Sequence, residues 1–381
     1  MPIGSFKNAV YGAALPLAGK RCEWKKGDDP RLAKVLRRHH VVGACIQRLE
    51  KGQLADCHAI GYARLGDAKR PVEPGTIFRT ASIAKMVTAL LVFRLQTLGR
   101  LNVQQEVSDW LGCPVRNPYH PEAPITLAML LSHTSSIVDS PAYFASFQKN
   151  SPLSEMLNDP EAYLPAVPGT AFRYSNFAAG VVGCLLEKAT GLSLETLAQQ
   201  ELFEPLGVQA TFDASRLEPE RTADSWRVLP AAYAFDAQKR ISASAPLDEP
   251  DPEHHYLLAS GNLYLTAADL AKLVLSAWNG ADGFLDENSL QQIQRPLLSW
   301  PETEVPMRHG MGLLQMDDKR IYPKPLWGHQ GFAYGAVNGA FFDAQGNGFV
   351  SLNSGASERR KGHLALINRD LIQWAMKRSN D

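Results

Sequence analysis

A serine and a lysine three residues apart stand at the start of a long apolar segment. Ser82 and Lys85 lie in FRTASIAKMVTALLVFRLQTLGRL, residues 78–101. Residues three apart on a helix share a face, so the Ser82 hydroxyl and the Lys85 amine can meet. A helix start also offers free backbone N–H groups that stabilise an anion. A hydroxyl, a base and oxyanion donors together indicate nucleophilic catalysis.

This chemistry requires Lys85 to be unprotonated near neutral pH. A free lysine titrates near about 10.4, so its pKa must fall by roughly three, which corresponds to about 4 kcal/mol. Burial in an apolar helix acts in that direction. The Ser-x-x-Lys pattern alone is weak, since it recurs at Ser146 and Lys149 in a polar loop. For Ser82 alone, a helix N-cap beside a snorkelling lysine is an equally good interpretation.

A second motif precedes another apolar helix. The segment PGTAFRYSNFAAGVVG contains Tyr174-Ser175-Asn176. A tyrosine beside a lysine cation has a lowered phenol pKa and can share the proton transfer. The Asn176 amide can orient Lys85 or a substrate carbonyl. Alone, the motif would be interpreted as a loop tyrosine and a helix-capping asparagine.

A third motif lies just before a strand. The segment LWGHQGFAYGAVNGAFF contains His329-Gln330-Gly331, followed by Phe332. Gly331 lets a substrate approach the backbone closely. The N–H of Phe332 can then be a second oxyanion donor, opposite the N–H of Ser82. Taken alone, His329 would be interpreted as a turn or surface histidine.

These motifs are spread over strands, then helices, then strands and a final helix. The strand-like runs VVGACIQRLE and CHAIGYARLG come early, and AVNGAFFDAQGNGFVSLNSG comes late. If the early and late strands pair, they form one antiparallel sheet, and the middle of the chain becomes a helical insertion. The prediction is an α+β fold with a sheet domain (residues 1–100 and 251–381) and an inserted all-helical domain (residues 101–250).

Together the motifs resemble those of a known family. From about residue 28 to 355, the chain is similar to the penicillin-recognising serine hydrolases, on the class C β-lactamase and DD-peptidase side, with the related esterases and D-aminopeptidases. The resemblance is carried by FRTASIAKMVTALL, PITLAMLLSHTSSIVD, PGTAFRYSNFAAGVVG, LLASGNLYLTAADLAKL, HGMGLLQ and WGHQGF. It implies a sheet flanked by helices plus an all-helical domain, with the site in the cleft between them.

The resemblance also assigns roles. It implies that Ser82 is the nucleophile, that Lys85 and Tyr174 transfer protons, and that Asn176 positions the reacting groups. The N–H groups of Ser82 and Phe332 would form the oxyanion hole, with His329 and Gly331 lining the cleft. The expected function is hydrolysis of an ester, amide or β-lactam-type carbonyl through an acyl-enzyme.

Three positions depart from the family pattern. His329 replaces the lysine of the third motif, which removes a permanent cation for a substrate carboxylate. Gln330 replaces a small hydroxyl residue, and Ser136 stands where glycine is usual. These changes weaken the case for penicillin resistance and leave esters, amides and D-residue peptides open.

Composition excludes other function classes. Lys plus Arg and Asp plus Glu are balanced at 39 each in 381 residues, without a basic stripe, so we expect no nucleic-acid partner. The chain contains no run of about 18 apolar residues, so we expect no membrane span. The five cysteines include no CxxC, and His39-His40 and His254-His255 are adjacent pairs, so we expect no metal and no cofactor. Whether Cys45 and Cys57 pair is left open. The expected partner is a small-molecule or short-peptide substrate.

Two alternatives remain to be weighed. An α/β-hydrolase would need Gly-x-Ser-x-Gly, which the chain lacks. A catalytically silent member of the family would bind peptides or cell-wall fragments instead.

The start MPIGSFKNAVYGAALPLAGKRC has some signal-peptide character, but Lys20 and Arg21 interrupt it. We therefore expect a cytoplasmic protein, with export as the alternative.

Overall fold

The computed structural model describes residues 20–21, 29–229, 233–236, 246–299 and 304–377. The signal-like residues 1–19 and Cys22 lie outside this part of the chain, so the cytoplasmic location stays a prediction.

Seventeen strands are present in the described residues. In chain order they are β1 (Lys20–Arg21), β2 (Gly43–Glu50), β3 (Gln53–Arg64), β4 (Arg70–Pro71), β5 (Phe78–Arg79), β6 (Ala210–Thr211), β7 (Trp226–Leu229), β8 (Tyr233–Asp236), β9 (Tyr264–Leu265), β10 (Pro296–Ser299), β11 (Met307–Gly310), β12 (Leu314–Met316), β13 (Leu326–Ala333), β14 (Ala336–Phe342), β15 (Gly348–Asn353), β16 (Arg360–Lys361) and β17 (Leu364–Ala365).

The main sheet joins strands from both ends of the chain. Its nine strands run in the order β10-β11-β12-β13-β14-β15-β2-β3-β4, and all neighbours are antiparallel. The link between the two ends is the β15–β2 pair, in which Val350 lies opposite Gln47. The predicted pairing of early and late strands is therefore confirmed.

Twelve α-helices accompany the strands in the same residues. They are α1 (Pro30–Arg38), α2 (Ile83–Thr97), α3 (Val107–Leu111), α4 (Leu127–Leu131), α5 (Pro141–Lys149), α6 (Leu153–Leu157), α7 (Asn176–Thr190), α8 (Leu194–Ala198), α9 (Leu258–Gly261), α10 (Ala267–Asn279), α11 (Glu287–Gln294) and α12 (Leu366–Lys377). Single-turn 3₁₀ helices lie at Pro160–Ala162, Ala214–Arg216 and His255–Leu257, and a π-helical turn at Gln199–Phe203 follows α8.

Helices cover both faces of the main sheet. Side chains alternate along β2, because successive residues of a strand point to opposite faces. Cys45 belongs to the core that contains α2 and α10, whereas Ala44 and Ile46 belong to the core that contains α1 and α12. The predicted α+β class, an antiparallel sheet flanked by helices, is confirmed.

Helix α2 is apolar on all sides because it is enclosed on all sides. It contacts strand β13, helices α7, α9 and α11 and the π-helical turn. Twelve of its fifteen residues are buried, so only its C-terminal end needs a polar face. The helix ends before Gly99, whose φ of +68° is the left-handed conformation that glycine adopts easily. The start of α2 is consequently held in the interior.

Residues 101–250 contain helices α3 to α8 and the short strands β6 to β8. Side chains of these helices, such as Leu130 and Val181, share one core with Val87 of α2 and Leu270 of α10. Because β6 to β8 lie within it, the segment is not wholly helical. Its division from the sheet at residues 101 and 250 stays a prediction.

Two further expectations concern the cysteines and the membrane. Cys45 and Cys57 are free thiols on neighbouring strands, with their Sγ atoms 3.5 Å apart. In the described part of the chain no single helix has the length and apolar composition of a membrane span. The pair Asn176–Thr190 and Leu194–Phe203 reaches these criteria only jointly, across an 83° bend.

Candidate active site

Ser82 occupies a strained turn at the start of α2. It stands at the N-cap position with φ −61° and ψ −6°, and its side chain makes no capping hydrogen bond. The preceding Ala81 has φ +54°, a conformation that residues with a Cβ atom rarely adopt. Such strain persists only where the surroundings enforce it, and it is concentrated at functional sites. The strain at Ala81 is thus typical of a functional position, and the Ser82 hydroxyl beside it does not cap the helix.

Lys85 Nζ has three oxygen neighbours. It lies 2.6 Å from the carbonyl oxygen of Ser260, 2.9 Å from Asn176 Oδ1 and 3.3 Å from Ser82 Oγ. The first two are carbonyl oxygens and can only accept hydrogen bonds. A neutral amine has two hydrogens and one lone pair, so both hydrogens bind the carbonyls and the lone pair faces the Ser82 hydroxyl. This arrangement suits an amine that accepts the serine proton.

The pKa of the Lys85 amine lies close to neutral pH. Its side chain is buried, and desolvation lowers its pKa to about 7, while the negative charge of Asp139 acts in the opposite direction. Removing an ammonium group from water disfavours its charged form. The condition that the sequence set for Lys85, an unprotonated amine near neutral pH, is met by burial.

Tyr174 lies beside this pair, as the sequence predicted. Its ring centroid is 5.1 Å from Lys85 Nζ. Burial raises the pKa of the Tyr174 phenol well above its usual value, and a hydrogen bond with Ser82 opposes this only in part. The expectation that Lys85 lowers the phenol pKa is therefore wrong, because desolvation of the phenol dominates and the negative charge of Asp139 also raises its pKa. Tyr174 is a neutral phenol, suited to donating a proton.

Asp139 orients the second motif through three hydrogen bonds. Its carboxylate accepts hydrogen bonds from Asn176 Nδ2 (2.8 Å), Ser175 Oγ (2.9 Å) and the Phe177 N–H (2.9 Å). Because Asn176 Nδ2 is engaged by Asp139, Asn176 Oδ1 faces Lys85. The predicted positioning role of Asn176 thus depends on a carboxylate that the sequence did not single out.

His133 holds Tyr174 from the other side. Its carbonyl oxygen accepts the Arg173 N–H at 2.8 Å, and its Nδ1 lies 3.3 Å from the Ser175 N–H. Its ring packs on the Tyr174 ring with centroids 4.4 Å apart. Because Nδ1 accepts a hydrogen bond, the ring proton of the neutral imidazole is on Nε2. The residues before and after Tyr174 are therefore both fixed by His133.

The third motif lies against the Ser82 turn. A Cβ atom on Gly331 would lie 2.3 Å from the Thr80 carbonyl oxygen and 3.0 Å from Ala81 Cβ. The close approach that Gly331 allows is thus that of the Thr80–Ser82 backbone, rather than that of a substrate alone. Phe332, the next residue on β13, lines the same cavities as Ser82.

Neutral histidines surround Tyr174. His133, His309 and His329 are buried, and desolvation lowers the pKa of each, that of His309 to about 4. The ring of His309 lies 4.8 Å from that of His133 and 6.1 Å from that of His329. His329 Nδ1 donates to the Gln330 carbonyl oxygen at 2.7 Å. No permanent cation therefore stands at the third motif.

A cation reaches the cleft from another segment. Arg360, on β16, lines a 380 Å³ cavity together with Ser82, Tyr174 and His329. Its guanidinium carbon lies 3.7 Å from the centroid of the Phe332 ring. Gln330 supports this segment, since its Nε2 donates to the His363 carbonyl oxygen at 2.5 Å.

The structure thus brings all seven predicted site residues to one cleft. These are Ser82, Lys85, Tyr174, Asn176, His329, Gly331 and Phe332. Asp139, His133, His309 and Arg360 were not predicted from the sequence. Three of them lie in segments that carry the family resemblance, His133 and Asp139 in PITLAMLLSHTSSIVD and His309 in HGMGLLQ, and Arg360 lies in the basic run RRK. Nothing in their spacing relates them to Ser82.

Comparison with known proteins places the chain among relatives. Penicillin-binding protein 4* of Bacillus subtilis (strain 168) is 29% identical over 197 residues, which cover 50% of this chain and 42% of that protein. The chain thus spans less than half the length of that relative. Esterase EstB of Burkholderia gladioli is 27% identical over 386 residues, covering 90% of this chain and 94% of that protein.

A solved structure shows the same fold. EstCE1, described as a hydrolase with promiscuous acyltransferase activity, superposes with a TM-score of 0.74 at 22% identity, covering 90% of this chain and 97% of that one. The family model named Beta-lactamase matches residues 29–370, well over half of the chain. This match includes the Ser82, Tyr174 and His329 motifs, and the chain belongs to the beta-lactamase family.

Proposed function

We propose that the protein is a carboxylic-ester hydrolase that works through an acyl-enzyme on Ser82. The observation that carries the proposal is the environment of Lys85 Nζ. Two carbonyl oxygens lie within hydrogen-bond distance of it, and when the amine is neutral they take its two hydrogens, which leaves the lone pair for Ser82 Oγ at 3.3 Å. A base of pKa about 7 next to a hydroxyl that caps no helix is what nucleophilic catalysis at neutral pH requires.

Acylation follows from these positions. Lys85 takes the Ser82 proton as Oγ attacks the ester carbonyl, and a tetrahedral intermediate forms. The N–H groups of Ser82 and Phe332 stabilise its oxyanion. Tyr174 donates its phenol proton to the leaving oxygen and recovers a proton from Lys85, so the alcohol departs and the Lys85 amine is neutral again. Water then attacks the acyl-Ser82 ester, with Lys85 accepting a proton from it. When the acyl–Oγ bond breaks, Lys85 returns this proton to Ser82 Oγ, which releases the acid and restores the Ser82 hydroxyl.

The charge of the cleft favours esters over substrates with a free amino group. Three arginines line the two cavities at Ser82, namely Arg79, Arg227 and Arg360, and no aspartate or glutamate does so among the described residues. A substrate ammonium group, as in D-aminoacyl amides, would have no carboxylate partner and would meet like charges. The nearly full-length similarity to Esterase EstB agrees with this choice.

Arg360 supports a preference for an anionic leaving group. Its exposed side chain lines the cavity that contains Tyr174 and stacks on the Phe332 ring. Among the described residues no carboxylate forms an ion pair with Arg360. For wild type, 4-carboxyphenyl esters should be cleaved with a higher kcat/KM than neutral phenyl esters of the same acid. Arg360→Gln should lower that ratio by up to about fivefold, because an exposed ion pair contributes about 1 kcal/mol or less. Arg359→Gln serves as the matched control, and equal ratios in all three proteins would refute this role.

A fluorophosphonate probe tests the proposal itself. The reagent should label wild type at Ser82 and leave Ser82→Ala unlabelled. In parallel, p-nitrophenyl esters, D-aminoacyl anilides and the chromogenic cephalosporin nitrocefin should be compared, with the esters showing the highest kcat/KM. Absence of both labelling and turnover would overturn the proposal and favour the catalytically silent binding protein. Faster turnover of the anilides would make it an amidase.

A further inference from the structure

Two cavities meet at Ser82. One measures 430 Å³ and is lined by Phe144, Phe147, Leu257 and Tyr334, and the other measures 380 Å³ and is lined by Tyr174, His329 and Arg360. Ser82, Asn176 and Phe332 line both cavities. A substrate carbonyl attacked by Ser82 must therefore extend its acyl group into one cavity and its leaving group into the other.

The position of Tyr174 decides which group lies where. On the proposed mechanism the phenol of Tyr174 protonates the leaving oxygen, so the leaving group must depart on its side. Tyr174 lines the 380 Å³ cavity and not the 430 Å³ cavity. The acyl group therefore occupies the larger cavity, which we name the acyl cavity.

The acyl cavity has an unusual concentration of exposed apolar side chains. Eight large hydrophobic residues are exposed on the described surface, and three of them, Phe144, Phe147 and Leu257, line this one cavity. Phe144 and Phe147 remain 56% and 54% exposed, and lie one helical turn apart on α5 with ring centroids 6.0 Å apart. Clustered exposed apolar surface in a cleft marks a place that a ligand covers.

The aromatic wall is held rigidly. Phe147 packs edge-on against Tyr143 at 5.1 Å and 83°, and Tyr143 is itself buried against Phe177 at 5.3 Å. Helix α5 is capped by Ser140, whose side chain accepts the Tyr143 N–H and which directly follows Asp139. The wall is thus anchored next to the residue that orients Asn176.

The charged groups that line the acyl cavity are two arginines, Arg79 and Arg227, and they disfavour a cationic acyl group. Arg79 donates from Nε to the Gly261 carbonyl oxygen at 2.9 Å and lies over the Tyr334 ring at 4.7 Å. Its charge is therefore already satisfied in part. No carboxylate lines the acyl cavity within the described ranges, so an acyl group with a free α-amino group would be unpaired there.

We infer that the substrate is an ester of a bulky, aryl-bearing carboxylic acid without a free amino group, whose aryl ring lies against Phe144 and Phe147. This inference rests on the proposed ester hydrolysis and adds the orientation and the acyl class. Aromatic rings pack favourably edge-on or offset, and the two exposed rings offer such positions to a third.

The test compares two isomeric esters. Methyl 3-phenylpropanoate carries the ring on the acyl side and 2-phenylethyl acetate carries it on the alcohol side. Wild type should cleave the first with a kcat/KM at least tenfold above that for methyl propanoate, in line with the discrimination that apolar pockets achieve. The double variant Phe144→Ala/Phe147→Ala should lose at least fivefold more activity on the acyl-side isomer than on the alcohol-side isomer. Both side chains are exposed, so the variant is expected to fold, which circular dichroism checks.

Tyr119→Ala is the matched control, since Tyr119 is 53% exposed and lines neither cavity. It should retain the wild-type ratio of the two isomers. A greater loss on 2-phenylethyl acetate in the double variant would overturn the orientation, and an unchanged ratio would overturn the aromatic acyl site. Either result leaves ester hydrolysis intact, whereas failure of wild type to cleave any ester would overturn the proposed function instead.

Discussion

Replacing Asp139 by asparagine should change both the rate and the pH dependence of hydrolysis. Asp139 is linked to Lys85 through Asn176, by contacts of 2.8 Å and 2.9 Å on either side of the Asn176 amide. With the width of the amide group, the carboxylate and the amine are at most about 8 Å apart. At an effective dielectric constant of about 20, a unit charge at that distance contributes about 2 kcal/mol. Removing it destabilises the ammonium form, so the pKa of Lys85 should fall by about 1.5.

The substitution also reverses a hydrogen bond. If the introduced amide keeps its oxygen towards Ser175 and Phe177, its nitrogen faces Asn176 Nδ2, and Asn176 must rotate to avoid two donors meeting. Asn176 would then present an N–H group to Lys85, which competes with Ser82 for the amine lone pair. The cost of one misplaced hydrogen bond at the reacting groups is about 2–3 kcal/mol, or roughly 30-fold to 150-fold in rate.

The assay is the pH profile of kcat/KM on a p-nitrophenyl ester. Because the neutral amine is the active form, activity rises with pH through the Lys85 pKa, about 7 in wild type. Asp139→Asn should move this acidic limb to lower pH and lower the plateau. Asp286→Asn is the control, because Asp286 caps helix α11 at its Ser289 N–H and lines neither cavity at Ser82. An acidic limb that stays in place or moves to higher pH would refute the electrostatic link between Asp139 and Lys85.

Three further outcomes follow from the same geometry. Lys85→Met should abolish turnover, and it should raise the melting temperature at pH 6 more than at pH 10. The reason is that a buried lysine with a folded pKa of about 7 destabilises the fold below that pH, and this destabilisation disappears above its unfolded pKa of about 10.4. Equal melting temperatures for variant and wild type at both pH values would contradict the burial argument. Tyr174→Phe should lower kcat/KM about 10²-fold to 10⁴-fold on methyl esters and much less on p-nitrophenyl esters, whose leaving group needs no proton; equal losses on both would remove Tyr174 as the proton donor. Gly331→Ala should lower activity and melting temperature together, because its Cβ atom would lie 2.3 Å from the Thr80 carbonyl oxygen; an active variant of wild-type stability would show that β13 can move away from Ser82.

The close approach of Ser82 and Lys85 could be predicted from the sequence because the two residues are local. Ser82 and Lys85 are three residues apart at the start of one helix, so helical geometry alone brings the two side chains together. The apolar residues around Lys85 already indicated that the helix is buried, and burial is what lowers the Lys85 pKa. The α+β class followed in the same way from alternating strand patterns at the two ends of the chain.

The sequence was insufficient wherever the effect depends on groups distant in the chain. The pKa of Tyr174 was predicted in the wrong direction, since a neighbouring lysine can be inferred from a motif but the desolvation of the phenol cannot. Asp139 meets Asn176 across 37 residues, and Arg360 reaches the cleft from a segment that follows β15 in the chain. Contacts of this kind leave no regular spacing in the sequence.

The sequence by itself determined which hydroxyl and which amine lie side by side, because a helix fixes the separation of residues three apart. Only the tertiary structure decided how the Lys85 amine is oriented, in which direction the Tyr174 pKa shifts, and which side chains line the two cavities at Ser82. The physical reason is that charge stabilisation and cavity shape depend on distances through space, and the fold sets those distances by packing segments that the chain keeps far apart.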